Sequence, residues 1–397
     1  MNPGLAELQP YPFARLAALT QGITPAPQSA IAFGIGEPQH AAPKVIVDAL
    51  ANHLDGIGKY PLTRGEPALR TSIATWLTRR FKLSGIDAER QVLPVTGTRE
   101  ALFSIAQALI TPGSAHRVIC PNPFYQIYEG AAILAGTTPR FVNSNAKLHH
   151  RPDFSQLSDA DWDQCQLLYL CNPGNPSGAV IPQNELQELI ERAHEYDFVI
   201  VSDECYSEIY PDEAQPPVGL LEVAESMGVA DFRHCLVFHS LSKRSNVPGM
   251  RSGFVAGDAD LISTFLKYRT YHGCAMPLHH QIASIAAWSD EDHVIENRAR
   301  YREKFAAVTP ILQPYLDVTT PDAGFYLWPR TPCDDETFAV ELLRHANVTV
   351  LPGRYLSRMA YGVNPGEHYA RLALVAELDQ CIEGARRIAT VCEALWS

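Results

Sequence analysis

One short segment of this chain contains a lysine that could form a covalent bond and an arginine that could bind an anion. The segment HSLSKRSNVPGMRSGF, residues 239–254, places Lys243 among serines and Arg251 beyond a Pro-Gly turn, directly after an apolar run typical of a buried strand. A lysine amine can bond covalently to a carbonyl carbon, and an arginine binds anions through several N–H donors. The spacing therefore predicts a carbonyl-binding amine beside an anion site.

Polar groups follow three other short apolar runs in the same way. These groups are Thr96-Gly97-Thr98-Arg99, Asn172-Pro173-Gly174-Asn175-Pro176-Ser177-Gly178 and Ser202-Asp203-Glu204-Cys205-Tyr206. Ligands of open parallel sheets bind outside the carboxyl ends of the strands, so we expect all of these groups along one sheet edge. A helix that begins at Thr98 would add free N–H groups and a positive dipole end, which suit a phosphate.

Alternating strands and helices must position these groups. Apolar runs predict strands over 91–95, 117–120, 166–171, 198–202 and 235–240, and helical periodicity predicts helices over 98–110 and 185–196. Such alternation is typical of an α/β fold with a large, doubly wound, mostly parallel sheet covered by helices.

A second, smaller domain is predicted after the alternating region. The pattern is helical over 277–312, and GFYLW and a helix over 336–345 then begin a compact α+β section. We expect an N-terminal arm with part of the small domain in residues 1–50, a large cofactor-binding domain in 51–280, and a small C-terminal domain in 281–397. The proline-rich opening segment cannot form a continuous helix and is expected to wrap over a surface.

The polar groups together match the needs of pyridoxal 5'-phosphate. A lysine bonds to the aldehyde of that cofactor, and a carboxylate keeps its pyridine nitrogen protonated. Amide and phenol donors hold its ring oxygen, while an arginine and a helix N-terminus bind its phosphate. Each segment alone is common as a turn or a helix cap, but their combination predicts a pyridoxal phosphate site.

The same motifs resemble those of the fold-type I, class I and II pyridoxal-phosphate aminotransferases. The resemblance extends from Gly36-Glu37-Pro38 to Arg371. Its most specific part is the pattern S-x-S-K-x7-R at Ser240, Ser242, Lys243 and Arg251, joined by NPGNPSG and SDECY in the expected order. The resemblance implies an aminotransferase of that fold.

The resemblance also implies a role for individual residues. Lys243 would bond covalently to the cofactor, Asp203 would pair with its pyridine nitrogen, and Asn175 and Tyr206 would hydrogen-bond its ring oxygen. Tyr125 matches the aromatic residue that stacks on the ring, with Phe124 as the alternative. The candidates for the phosphate side are Gly97, Thr98, Arg99, Ser240, Ser242 and Arg251.

Three further positions concern the substrate and a partner chain. Tyr60 matches a tyrosine that crosses to the phosphate of the other subunit, which implies a homodimer with shared sites. Arg371 matches the arginine that binds the α-carboxylate of the substrate, where Asn175 is also expected. Gly36 would offer a backbone contact to the same carboxylate.

The activity implied is transfer of an amino group between an amino acid and 2-oxoglutarate or glutamate, with Lys243 as general base. Tyr11-Pro12-Phe13 and LPGRYL, residues 351–356, are similar to segments of bacterial N-succinyl-LL-diaminopimelate aminotransferases of lysine biosynthesis. A substrate with a distal carboxylate would require a second cation, for which the sequence offers Arg15, Arg64 and Arg354.

Composition excludes several other classes of function. The net charge of −12 and the absence of a basic run argue against a nucleic-acid partner. The opening residues contain no signal-peptide or membrane-spanning stretch, so we expect a cytoplasmic protein without a membrane partner. Nine scattered cysteines without a ligand spacing indicate reduced thiols and no metal site.

Several alternative functions remain at this point. A β-C–S lyase and an aspartate or aromatic aminotransferase use the same cofactor motifs. A non-catalytic ligand-binding domain of a regulator would need a DNA-binding module, for which there is no room before Gly36. A nicotinamide-dependent dehydrogenase would need G-x-G-x-x-G, whereas Gly34-Ile35-Gly36 continues into Pro38.

Overall fold

The computed structural model describes residues 2–273 and 275–396 of the chain. In these residues the strands are β1 (Ile31–Ala32), β2 (Val92–Val95), β3 (Arg117–Asn122), β4 (Pro139–Asn145), β5 (Arg151–Pro152), β6 (Cys165–Cys171), β7 (Val199–Asp203), β8 (Cys235–Ser240), β9 (Gly253–Gly257), β10 (Tyr326–Leu327), β11 (Val348–Thr349), β12 (Leu351–Pro352) and β13 (Ala370–Ala373). The α-helices are α1 (Pro12–Thr20), α2 (Lys44–Ala51), α3 (Pro67–Phe81), α4 (Thr98–Leu109), α5 (Ile127–Leu134), α6 (Asp159–Asp163), α7 (Gln183–Tyr196), α8 (Leu220–Ser226), α9 (Leu241–Arg244), α10 (Ala259–His272), α11 (Leu278–Ser289), α12 (Asp292–Leu312), α13 (Asp335–Ala346) and α14 (Leu378–Trp396).

A large mixed sheet positions the polar groups predicted from the sequence. Its strands lie in the order β2-β9-β8-β7-β6-β3-β4-β5. Neighbours from β8 to β4 pair in parallel, while β9 is antiparallel to both β8 and β2. Because β2 and β8 are both antiparallel to β9, they run in the same direction. The carboxyl ends of β2, β6, β7 and β8 therefore lie at one edge, and the predicted α/β fold is confirmed.

Helices cover both faces of this sheet, as a doubly wound fold requires. Alternate side chains of β6 point to opposite faces: Leu168 and Leu170 pack in a core with α3, α7 and α11, whereas Leu167 and Tyr169 pack with α4, α5 and α10. The period of two follows from strand geometry. The residues of both cores are buried, so the sheet is packed on each face.

A separate core joins the beginning and the end of the chain. Ile31 and Phe33 pack with apolar residues of α12, α13 and α14. The pairing of β1 with β11 and the three-stranded sheet β10-β13-β12 lie in the same region. The N-terminal arm thus shares a core with the C-terminal section; the domain boundaries at 50 and 280 stay predictions.

Two local features differ from the sequence prediction. The antiparallel strand β9 was not predicted, because its two terminal glycines interrupt the apolar run that signals a strand. The proline-rich opening contains a regular helix, α1, whose first residue is Pro12. Proline is tolerated there because the first N–H groups of a helix have no intrahelical partner.

No helix within the described residues has the length and apolar character that a membrane crossing requires.

Candidate active site

A cavity of about 500 Å³ opens at the carboxyl edge of the large sheet. It brings together residues from many separate segments of the chain. The predicted site residues that line it are Gly36, Thr98, Arg99, Tyr125, Asn175, Asp203, Tyr206, Ser240, Ser242, Lys243, Arg251 and Arg371. Gly97 adjoins the cavity through its neighbour Thr98, whereas Tyr60 does not line it.

Lys243 projects into this cavity from the short helix α9, which directly follows β8. The Ser240 side chain caps that helix by accepting a hydrogen bond from the Ser242 N–H. The Lys243 Nζ donates to the Gly36 carbonyl oxygen at 2.6 Å. Burial lowers the pKa of Lys243 from 10.5 to about 8. A neutral, nucleophilic amine is therefore accessible near neutral pH.

Asp203 is a buried carboxylate at the end of β7. It accepts hydrogen bonds from the Tyr128 hydroxyl at 2.8 Å and from the Cys205 N–H at 3.3 Å. Burial raises the pKa of Asp203 despite these donors. No lysine or arginine of the described residues lies within ion-pair distance of it. The carboxylate would be stabilised by a cation that entered the cavity.

An anion cradle lies where α4 begins. Among the described residues no side chain caps the α4 N-terminus, and Gly97 precedes it at φ +85°. A Cβ at residue 97 would collide with the Arg251 guanidinium, so glycine permits Arg251 to approach this helix end. Ser240 and Ser242 add hydroxyls that are hydrogen-bonded to each other at 2.9 Å. Such a helix N-terminus beside an arginine suits a phosphate.

A buried arginine, Arg371, also lines the cavity. Arg371 donates to the Asn175 side-chain oxygen at 3.0 Å and to the Gly34 carbonyl at 2.9 Å. Its guanidinium lies 4.5 Å from the centre of the Tyr326 ring, and its Nε has no hydrogen-bond partner in the described residues. No carboxylate there forms an ion pair with it. Arg371 is thus suited to bind a planar carboxylate.

The structure places the predicted aromatic residues in different surroundings. Tyr125 lines the cavity, whereas Phe124 stacks on Phe141 at a ring distance of 5.0 Å outside it. Tyr206 lines the cavity too, and its hydroxyl lies 2.9 Å from the Tyr326 hydroxyl. Burial raises the pKa of both Tyr125 and Tyr206, so each stays a neutral phenol.

Sequence reasoning missed several cavity residues. Tyr326 was part of the predicted strand GFYLW, but its approach to Arg371 depends on the antiparallel pairing of β10 with β13. Tyr128 does not line the cavity, but it was also not singled out, although its hydroxyl donates to Asp203. Glu37 and Tyr11 also line the cavity, from segments that the sequence marked only as parts of motifs.

These residues fit pyridoxal phosphate. The unpaired carboxylate of Asp203 suits a protonated pyridine nitrogen, and the amine of Lys243 suits the aldehyde. The uncapped α4 N-terminus and Arg251 suit the phosphate. All of these groups border one cavity, so a single cofactor molecule could contact them together.

Comparisons with known proteins identify the family. The family model described as aminotransferase class I and II matches residues 28–380. A crystal structure of an aminotransferase from Neisseria meningitidis superposes with a TM-score of 0.95 at 49% identity and 100% coverage of both chains. The transaminase OxyQ of Streptomyces rimosus is 34% identical over 97% of this chain and 100% of its own. An LL-diaminopimelate aminotransferase of Maridesulfovibrio salexigens is 30% identical over 97% of each chain. The chain therefore belongs to the class I and II aminotransferases and depends on pyridoxal 5'-phosphate.

Proposed function

We propose that this enzyme transfers an amino group between N-succinyl-LL-2,6-diaminopimelate and 2-oxoglutarate, as a cytoplasmic enzyme of lysine biosynthesis. The observation on which the substrate proposal depends is a second cation, Arg99, on the cavity wall. It would bind the distal acidic end of the substrate, while Arg371 binds the reacting end.

The reacting end of the substrate would be held by the described side chains. Arg371 and Asn175 would bind the α-carboxylate, which places the Cα hydrogen toward Lys243. The Lys243 amine would take the proton from the substrate Cα and return it during transfer. Bound pyridoxal phosphate supplies an electron sink for the breaking Cα–H bond. Asp203 supports that role because its carboxylate stabilises positive charge at the ring nitrogen.

Arg99 is available for a distal carboxylate. It has no ion pair or hydrogen bond in the described residues, and its guanidinium lies 5.4 Å from the centre of the Tyr11 ring. Tyr11, Phe13 and Ile35 line the neighbouring wall. An apolar wall that ends in one cation suits an aliphatic chain with an acidic terminus. The sequence had assigned Arg99 to the phosphate side instead.

The three arginines that the sequence offered for this role do not line the cavity. Arg354 forms ion pairs with Asp334, Asp335 and Glu336, so its charge is already compensated. Arg15 lies 3.9 Å over the centre of the Tyr355 ring, and Arg64 lies near Glu89 at 3.9 Å.

Unsubstituted LL-diaminopimelate is the second candidate substrate. The M. salexigens relative is named LL-diaminopimelate aminotransferase. Glu37 adds an exposed carboxylate to the cavity wall, and it could bind the distal ammonium that the succinyl group would remove. The distal end of the succinylated substrate would contact Arg99 alone. The distal end of unsubstituted diaminopimelate would contact both Arg99 and Glu37.

We also propose a homodimer with shared sites. Tyr60 is fully exposed in one chain, and the exposed apolar residues Leu54, Ile57 and Leu62 lie around it in sequence. Exposed apolar groups of this kind favour a protein interface. In such a dimer, Tyr60 would reach the phosphate in the partner's cavity.

The test compares amino donors on the wild type and on Arg99→Met, with 2-oxoglutarate as acceptor. Loss of a charged contact should lower kcat/KM for the succinylated donor by about ten- to a hundredfold. A neutral donor such as alanine should change by about twofold or less. Arg386→Met, at an exposed arginine of α14, is the matched control and should change neither.

Each other result contradicts a stated part of the proposal. If Arg99→Met weakens all donors and pyridoxal phosphate alike, Arg99 serves the cofactor phosphate. Efficient turnover of aspartate or aromatic amino acids without either diaminopimelate donor would identify another aminotransferase. Release of ammonia and pyruvate without an acceptor would identify a C–S lyase.

A further inference from the structure

A chain of buried polar side chains lies behind the cavity and has no part in the chemistry described so far. It consists of Lys304 and Asn297 of α12, His40 and Asn246, and we call it the Lys304–Asn246 network. Their exposed fractions are 2% for Lys304, 3% for Asn297, 5% for His40 and 8% for Asn246. Buried polar groups of this kind are costly unless they are hydrogen-bonded to one another.

The hydrogen bonds of the network converge on the side-chain oxygen of Asn297. The Lys304 ammonium donates to His40 Nε2 at 2.6 Å, so His40 must carry its proton on Nδ1. His40 Nδ1 then donates to Asn297 Oδ1 at 2.9 Å, which also accepts from Asn246 Nδ2 at 2.9 Å. Because the oxygen of the Asn297 amide accepts both of these bonds, its N–H groups must face the other way.

Those N–H groups contact the main chain of the catalytic lysine. Asn297 Nδ2 lies 3.3 Å from the Lys243 carbonyl oxygen and 3.4 Å from that of Arg244. At the other end of the network, His40 is the last residue of segment 34–40. This segment contains Gly36, whose carbonyl oxygen accepts a hydrogen bond from Lys243 Nζ at 2.6 Å. The network therefore holds both the backbone of Lys243 and the segment that receives its amine.

Stability alone does not account for this arrangement. Lys304 forms no ion pair with a carboxylate of the described residues, and burial lowers its pKa. An aliphatic side chain could fill such a position without the cost of removing an ammonium group from water. His40 also packs on Tyr301 of the same helix, at a ring distance of 4.9 Å, so α12 and the segment 34–40 are joined directly.

We propose that His40 and Asn297 are positioning residues, which hold the Lys243 amine at the place from which it reaches the substrate Cα. Lys304 fixes the tautomer of His40 and thereby the orientation of the Asn297 amide. Arg371 donates to the Gly34 carbonyl, so the same segment also aligns the substrate-binding arginine. The inference rests on the aminotransferase chemistry and not on which amino donor is used.

The main test replaces Asn297 by leucine, which has a similar shape and no hydrogen-bonding groups. Misplacement of the amine should lower kcat with glutamate as donor by about ten- to a hundredfold. The KM for glutamate should change by about threefold or less, and the isotope effect of deuterium at Cα should increase as proton transfer becomes slower. Asn297→Asp keeps the acceptor for His40 and loses the amide N–H groups, so it should show the same change if the leucine variant folds poorly.

Thr309→Val is the matched control. Thr309 lies on the same helix, is 5% exposed, and its hydroxyl has no hydrogen-bond partner in the described residues. Hydrogen exchange of the holoenzymes gives a readout independent of turnover. Both Asn297 variants should speed exchange in residues 34–40 and 241–246, and Thr309→Val should leave these segments unchanged.

Two results would overturn the proposal. One is a kcat for both Asn297 variants within about twofold of that for Thr309→Val. The other is faster exchange along the whole of α12 in proportion to a lowered unfolding temperature, which indicates a structural role alone. If glutamate is not a donor, the proposed substrate pair fails, but the exchange experiment still decides the positioning role.

Discussion

Lys243 shows how one residue acquires its chemistry from its surroundings. Removal of its ammonium group from water is the largest influence on its pKa, and the charges of Arg371 and Arg251 act in the same direction. The Cys205 thiol opposes them. A pKa of about 8 leaves the amine partly neutral at physiological pH, as a nucleophile and a general base both require.

A prediction for the apoprotein follows from this pKa. The unfolded chain binds a proton at Lys243 up to about pH 10.5, but the folded chain only up to about pH 8, so the residue destabilises the fold below pH 8. Lys243→Met should therefore be more stable than the wild type by about 3 kcal/mol at pH 7. The difference should vanish as the pH rises from 8 to 10.5, which denaturant unfolding at several pH values would measure.

The exposed Lys147 provides the control for this experiment. Lys147→Met replaces a lysine on the protein surface, so it should change the free energy of unfolding by only about 0.5 kcal/mol or less. A stability difference between Lys243→Met and the wild type that stays constant from pH 7 to pH 10.5 would contradict the lowered pKa.

At the scale of elements, the α4 N-terminus illustrates how backbone geometry makes an anion site. Gly97 has a positive φ, which costs glycine little, and its lack of a side chain leaves space for the Arg251 guanidinium. The site therefore depends on β2, α4 and the turn before β9 together. None of these elements forms it alone.

Gly97→Ala should weaken pyridoxal phosphate binding. The added methyl group would displace Arg251, and Kd for the cofactor should rise at least about tenfold. Gly113→Ala is the matched control, since Gly113 also has positive φ but open space around it. Both variants should lose stability from backbone strain, on the order of 1–3 kcal/mol, because both glycines have positive φ. Equal cofactor affinities of the two variants, measured by titration of the apoproteins, would contradict the proposed role of Gly97.

At the scale of the molecule, the cavity lies where separate cores meet. Lys243 and Asp203 extend from the large sheet, whereas Arg371 and Gly36 belong to segments beside the core that joins both chain ends. Tyr60 does not line the cavity of its own chain, and the proposed dimer would give it a place in the partner's cavity.

A mixed-dimer experiment tests this arrangement. Tyr60→Ala and Lys243→Ala should each have low activity, because each alters every site of its own homodimer. Dimers reassembled from equal amounts of both variants should recover roughly a quarter of the wild-type sites, since half of the dimers are mixed and each of those has one intact site. Activity no higher than the mean of the separate variants would contradict shared sites.

Short segments were sufficient to predict much of the fold and many cavity residues. Asp203 and Lys243 each follow an apolar run, and the parallel arrangement of β7 and β8 then places both at one edge. The buried face of α7, with Leu186, Leu189 and Ile190, likewise follows from helical periodicity. These features depend on neighbours within a few residues, and a sequence displays such neighbours directly.

Other features depend on pairs of residues far apart in the chain, and only the tertiary structure decided them. From the sequence alone, Arg354 and Arg99 are both cations that could bind an anionic group. In the folded chain Arg354 forms ion pairs with three carboxylates, whereas Arg99 lines the cavity. His40 and Asn297 are separated by 257 positions before they share a hydrogen bond. The sequence by itself determined which chemical groups are available and the order of the elements. Packing decided which charges are neutralised and which groups face the cavity, because both depend on distances that periodicity does not encode.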